Sequence, residues 1–426
     1  MNDDGNRALF ISYAYPPSSA PGSVRVTRLV TRLPSHDWRP FILTVGSAIR
    51  RSTGSSDPFD GDHYRVNRID DPIAVAIQKS PSPAGPKGGR TSSLLRRLAE
   101  HLIFPDRTIF WALRLKQAKG WARNVNPKII HSTSPSLATH FAAKAMVRAT
   151  GAKWVAEFRD PSSWLPRNDK TPALKRWLLA KAEAHIVNRA DAIVVISEAF
   201  AEYFRGRYPG RPIHSIPNGA EFSEADLTAA MARRTARRNR SKEVPFVLVH
   251  AGELYGGARN PEPLIRAAQI AQERLSRPLL LRFLGADSHI AGDAARKLGA
   301  DKLVEVVGPL CHADSVLAMQ DADGLVALLH DDPVGRIGIM SKFFDYAASA
   351  NPVLVVGEKV AMLSRIVEEH SMGIGCEYSD ITGMANWMAA LANAPQDFDY
   401  DCISVCRHWS ADAMAASMAR LFEALV

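Results

Sequence analysis

Apolar runs of strand length alternate with amphipathic stretches along most of the chain, a pattern that predicts parallel sheets covered by helices. In the first half the runs fall at residues 8–13, 40–45, 128–132, 154–158, 192–197 and 212–216, with helices expected to start near Gly22, Pro135 and Thr171. The second half repeats the pattern at 246–251, 279–285, 303–308, 324–329 and 352–357, with helices from near Asn260, His289, His312, Ile339 and Lys359. The expected fold class is α/β, built as two doubly wound, Rossmann-like domains. Ligands of such sheets sit beyond the carboxyl ends of the strands, so a chain of this kind is expected to place its site in a cleft that the two domains face.

Residues 79–93, KSPSPAGPKGGRTSS, are too rich in Pro, Gly and Ser to pack and read as an exposed loop. IPNGAEF at 216–222 closes a strand with Pro and an Asn-Gly turn, and the basic, polar MARRTARRNRSKE at 231–243 follows it. The expected division is a first domain over 1–220, a basic linker over 221–243 and a second domain over 244–405. A terminal helix over 406–426 is expected to pack back toward the first domain.

A length of 426 residues suits two or three domains, and 46% hydrophobic content excludes a disordered or fibrous chain. Fifty-three Lys and Arg against 44 Asp and Glu leave a net charge of +9, which favours anionic partners: nucleic acid, phosphorylated small molecules or an anionic membrane. The acidic N-terminus lacks a signal-peptide pattern, and no apolar stretch approaches the ~20 residues of a spanning helix, so the expected location is cytoplasmic. Cys311, Cys376, Cys402 and Cys406 have neither zinc nor disulfide spacing and read as buried, reduced thiols.

Candidate chemistry concentrates after strands. In VGRIGIMSKFFDYAASANPVLVVG (334–357), Gly335 and Gly338 lead into a helix whose first turn offers free N–H groups beside Lys342, an arrangement that suits phosphate. Asp345, three residues on, could accept two hydroxyl donors from a ribose. A solvated Lys and Asp on a surface helix would read the same way. In HAGELYGGARNPEPLIRAA (250–268), Arg259 falls between a strand end and a helix start, where it could bind a diphosphate or remain an exposed loop residue. YAYPPSSAPGSVR puts small residues and Gly22 at another such junction, and EFRDPSSW (157–164) ends a strand with Glu157, Arg159 and Asp160, at the cleft edge or as a structural pair.

Asp321 and Asp323 form a D-x-D that reads as helix and strand capping, no G-x-G-x-x-G follows the first strand, and His250 and His330 read as hydrogen-bonding residues at strand ends. The run Arg233, Arg234, Arg237, Arg238, Arg240 and Lys242 contains no aromatic residue and reads as a solvated charged segment rather than a nucleic-acid surface.

Taken in order, YPPSSAPGSVR, HDWRPFILTV, HSTSPS, WVAEFRDPSSW, ADAIVVIS, IPNGAE, HAGELYGGARNP and SKFFDYAASANPVL resemble the two-domain GT-B glycosyltransferases of family four, retaining enzymes that use nucleotide sugars, over nearly the whole chain. The resemblance implies a donor ribose on Asp345, a donor diphosphate near Lys342 and Arg259, and the phosphate-facing glycine loop at Gly22. Gly338 stands with the donor residues, and the FRDP segment, with Arg159 and Asp160, is similar to the strand end facing the reacting sugar. Two positions depart from the pattern: Ile337 stands where the first acidic residue of a paired motif is usual, and Glu253 where a basic residue is common.

The expected activity is transfer of a sugar from a nucleotide-diphosphate sugar to a hydroxyl acceptor, polysaccharide, lipid-linked or small, with retention and with no metal or other cofactor required. The first domain would serve the acceptor and the second the donor. A nucleotide-sugar epimerase on the same fold is the alternative within enzymes, and a basic nucleic-acid binder the alternative outside them.

Attachment to an anionic membrane is a further expectation. Leu94, Leu95, Leu98, Leu102, Ile103, Phe104, Ile109, Phe110 and Trp111 are interleaved with Arg96, Arg97, Arg107, Arg114, Lys116 and Lys119. Packing of those apolar side chains on the first sheet is the competing reading.

Overall fold

The computed structural model describes residues 5–16, 18, 21–46, 65–72, 103–134, 136–162, 171–241, 243–331, 336 and 342–426. The chain forms two compact units, Met1–Gly219 with Ala411–Val426, and Ala220–Ser410.

The first unit holds strands β1 (Asn6–Ile11), β2 (Trp38–Val45), β3 (Arg65–Ile69), β4 (Ile129–Thr133), β5 (Lys153–Phe158), β6 (Ala192–Val195) and β7 (Ile213–Ser215). They form one sheet in the order β3-β2-β1-β4-β5-β6-β7. Every pairing is parallel. Helices cover the sheet, so the central strands are apolar on both faces and read as continuous runs. The terminal helix Ala411–Leu425 belongs to this unit, where Met414, Met418 and Phe422 pack with Leu29, Val30 and Trp38. The Trp38 and Phe422 rings meet edge-on at 5.1 Å.

The second unit holds β8 (Phe246–Ala251), β9 (Leu279–Leu284), β10 (Val304–Gly308), β11 (Gly324–Leu328), β12 (Val353–Val356) and β13 (Gly373–Cys376), again parallel, in the order β10-β9-β8-β11-β12-β13. Alternate residues feed the two faces: Val247, Val249 and Ala251 enter one core, and Phe246 and Leu248 the other.

The structure departs from the sequence reading in several elements. β3 and β13 were not expected, because RVNRI mixes polar residues into an edge strand and GIGC is broken by glycine. Residues 221–243 are not simply a linker: Glu224–Arg238 is a helix of the second unit, started by a capping box between Ser223 and Asp226. Arg234 and Arg237 are buried there rather than solvated. Cys376, Cys402 and Cys406 are buried, but Cys311 is exposed and caps the helix His312–Gln320. The loop 79–93, Pro135 and Lys242 lie outside the described residues.

Two buried histidines give the fold a pH dependence. His140, whose Nδ1 lies 2.8 Å from the Ser132 hydroxyl, is pushed down to about 3 by burial, and His250, with Nδ1 at 3.0 Å from the Val326 carbonyl, is pushed down to about 4 by burial. Each stays neutral when folded and takes up a proton near its ordinary value of 6.5 only when unfolded. Stability is therefore full above pH ~6.5 and is lost as pH falls toward the folded values, by about 1.4 kcal/mol per pH unit for each histidine. Denaturant midpoints at pH 7.5 and pH 5 should differ by about 2 kcal/mol per unit of the protein, and His140→Gln should flatten the dependence of the first unit. Equal midpoints would contradict it.

Candidate functional site

In the second unit the predicted donor residues come from two neighbouring strands, β8 and β11. β8 ends at Ala251 and opens into a glycine loop in which Gly256 has φ of 64° and Gly257 of 93°, conformations that favour glycine. Asp287 holds this loop: its carboxylate accepts the Leu254 N–H at 2.7 Å and the Gly256 N–H at 3.2 Å. Burial would raise the Asp287 carboxyl, but the loop N–H donors more than offset it and keep it below the ordinary range. The Arg259 guanidinium then lies over the Tyr255 ring at 4.6 Å and donates to the Glu253 carbonyl at 3.1 Å. Glu253, the departure noted above, thus contributes its backbone to placing Arg259.

Lys342 and Asp345 lie at the start of the helix Phe343–Ala348, whose Phe343, Phe344, Tyr346 and Ala347 are buried. Those four side chains fix which face meets the core and leave Asp345 partly exposed. Tyr346 clips the helix to the sheet, accepting the Ala251 N–H at 3.0 Å and donating to the Val326 carbonyl at 2.9 Å. Burial raises the Tyr346 hydroxyl, and Arg259 and Asp345 are both near enough to bias it, in opposite senses. Lys342 Nζ is 3.3 Å from Asp345 Oδ2, and His312 Nδ1 is 3.9 Å from the same oxygen. His312 has no sequence signal that links it to this helix. Gly335, Ile337 and Gly338 lie outside the described residues. Arg336 is described, and it pairs with Glu358.

The first unit brings Gly22 and Arg159 together. A Cβ at Gly22 would collide with the Arg159 guanidinium, so only glycine lets that group sit against the start of the helix Pro21–Arg32. Burial pulls the Arg159 guanidinium down, and its backbone N–H is held by the Ser134 hydroxyl at 2.8 Å. A helix N-terminus and a guanidinium together suit an anion. Asp160, next along the chain, is exposed.

Glu157 is not at an edge, contrary to the sequence reading. It is fully buried, paired with Arg25 at 2.9 Å and accepting from Thr133 at 2.6 Å, its register partner across β4 and β5. The D-x-D pair lies before β11, at the opposite edge of the sheet from Asp345: Asp321 pairs with Arg233, and Asp323 takes Arg237 and the Val247 N–H.

Residues 22–219 match the glycosyl transferase 4-like domain. Among solved structures, sucrose-phosphate synthase from Thermosynechococcus elongatus is 16% identical, with a TM-score of 0.63 over 99% of both chains. HepE from Anabaena, in complex with UDP, is 13% identical with a TM-score of 0.61, over 98% of this chain and 100% of its own. The lipopolysaccharide outer core galactosyltransferase WaaB is 12% identical with a TM-score of 0.59, over 99% of this chain and 100% of its own. A search of curated proteins finds no significant match. The chain has the two-sheet GT-B fold of these structures. Its first unit, in particular, carries a glycosyl transferase 4-like domain.

Proposed function

We propose that the second unit binds a nucleotide-diphosphate sugar through Arg259, Lys342 and Asp345, and that the sugar passes to a hydroxyl acceptor with retention. The observation that carries this reading is the convergence of a guanidinium, an ammonium and a partly exposed carboxylate at the carboxyl ends of β8 and β11. The two cations suit a leaving diphosphate, and the carboxylate suits ribose hydroxyls. With that charge supplied by side chains, transfer is expected to proceed without a divalent metal, and activity should survive a chelator. HepE has been solved with UDP-glucose, which makes UDP-sugars the first donors to test.

Thermal stabilisation across a panel of nucleotide sugars identifies the donor. Calorimetric titration of that donor should then show affinity at least about tenfold weaker for Arg259→Ala and for Asp345→Ala, the loss of a charged hydrogen bond. Unchanged affinity in both variants would remove the assignment.

Membrane attachment of the first unit stays part of the proposal, on a surface that extends beyond the one the sequence suggests. Within the 94–119 segment, residues 94–102 lie outside the described residues, and Trp111 and Leu115 are core, with Trp111 edge-on to Tyr13 at 5.3 Å. Beside the exposed Phe110 of that segment, Leu174, Trp177 and Leu178 are 68%, 56% and 36% exposed on one face of the helix Ala173–Val187. Lys175, Arg176 and Lys181 accompany them, and Lys175 ties that helix to the Ile103 carbonyl at 3.2 Å, in the segment leading to the exposed Phe110 and Leu113. Among the described residues no helix is long and apolar enough to cross a membrane, so attachment would be at the surface.

The protein should co-sediment with anionic but not neutral liposomes, less so at high salt and less so as Leu174→Ser/Trp177→Ser. A protein that stays in the supernatant throughout would contradict this.

A further inference from the structure

The second unit has a cavity of about 470 Å³ at the amino ends of its strands, which the donor reading does not use. Phe246 opens β8, Arg277 lies just before β9, Asp323 before β11 and Asn351 before β12, and all four line it. Arg259 and Asp345 belong to the other edge of the same sheet, a strand length of roughly 20 Å away.

The lining is strongly basic. Arg234, Arg237, Arg238, Arg240 and Arg277 contribute five guanidinium groups. The carboxylates that answer them are two: Asp323 pairs with Arg237 at 2.7 Å, and Asp399 with both Arg234 and Arg238. Among the described residues Arg240 and Arg277 have no ion-pair partner, and the Nε of Arg277 is buried without a hydrogen bond.

The cations are also held in place before any ligand arrives. Arg234 donates to the Pro395 and Phe398 carbonyls at 3.1 and 3.2 Å, and Arg277 lies over the Phe246 ring at 5.0 Å. Burial pulls the Arg234 guanidinium down. Convergent, fixed guanidinium groups in excess of their carboxylates match the several oxygens of linked phosphates, and a cavity of this size admits a small molecule. Leu275, partly exposed, adds an apolar side chain to the lining.

We propose that this cavity is a second anion site, for a small molecule carrying two or more linked phosphate groups, independent of the donor site at the other edge of the sheet. Binding of such a ligand neutralises the excess charge and braces the helix Glu224–Arg238 against the strands.

Calorimetric titration of the full chain with inorganic pyrophosphate tests the proposal. The double variant Arg240→Gln/Arg277→Gln should bind at this site at least about tenfold more weakly, while Arg259→Ala should leave the same event intact. Arg240 is exposed, so Arg240→Gln alone provides the readout if the double variant unfolds. Unaltered pyrophosphate binding in the Arg240 and Arg277 variants, or no binding that depends on them, would overturn the proposal. So would inorganic phosphate or sulfate binding as tightly as pyrophosphate, or a single-stranded oligonucleotide displacing pyrophosphate from this site, which would make the cluster a general anion surface or a nucleic-acid contact. Loss of pyrophosphate binding only in Arg259→Ala would likewise overturn it while supporting the donor reading.

Discussion

Arg25→Ala should destabilise the first unit by about 3–5 kcal/mol, the usual result of removing one partner from a buried ion pair. The Arg25 side chain is 2% exposed and Glu157 is completely buried. Its Nε donates to Glu157 at 2.9 Å, and its terminal nitrogens to the Pro217 and Ile216 carbonyls at 2.8 Å and to Asn218 at 3.1 Å. Burial would raise the Glu157 carboxyl, but Arg25, with the hydrogen bond from Thr133 and the His131 ring 3.5 Å away, more than offsets it and holds it well below the ordinary range. A depressed carboxylate contributes stability that is present above the ordinary value of 4.5 and is lost as pH falls through the folded value. In Arg25→Ala the carboxylate keeps its burial and loses its cation. Arg25→Lys should recover little, because one ammonium cannot reproduce a fork that serves five acceptors, the Met414 sulfur at 3.3 Å among them. Denaturant unfolding at neutral pH measures both variants, and an Arg25→Ala protein as stable as the parent would contradict the account.

Asp160→Asn should lower turnover by about a hundredfold or more with little change in donor affinity, as for a group acting at the reacting centre rather than in ground-state binding. Asp160 is exposed at the carboxyl end of β5, beside Arg159, and the substitution keeps its shape while removing its charge. An unchanged unfolding temperature separates loss of chemistry from loss of fold. Normal turnover would exclude Asp160 from the mechanism, and an inverted anomeric product would exclude retention.

The strands of both sheets were legible where helices cover both faces, as in FVLVHA and LFIS, because burial on two sides demands an unbroken apolar run. β3 was not, since an edge strand tolerates Arg and Asn. The helix Glu224–Arg238 was hidden by its arginines, although Ser223 followed three residues later by Asp226 is a helix-start signal that could have revealed it. Arg25 could also have been noticed: it falls four residues before Leu29, on the buried stripe of its helix.

The proposed donor residues are legible singly, as charges after strands, but their arrangement is not. Arg259 and Lys342 are 83 positions apart by number, and only the neighbouring placement of β8 and β11 joins their loops. Asp287 and His312 reach the site by tertiary packing and leave no local pattern.

Hydrogen exchange of the full chain with and without a nucleoside diphosphate is the most direct test of the donor assignment. UDP, the nucleotide held by HepE, is the first to use, with GDP and ADP beside it. The nucleotide that binds should slow exchange across the 252–259 loop and the 342–346 turn. Protection confined to the first unit, or to the helix Glu224–Arg238 and the amino ends of the second sheet, would contradict it.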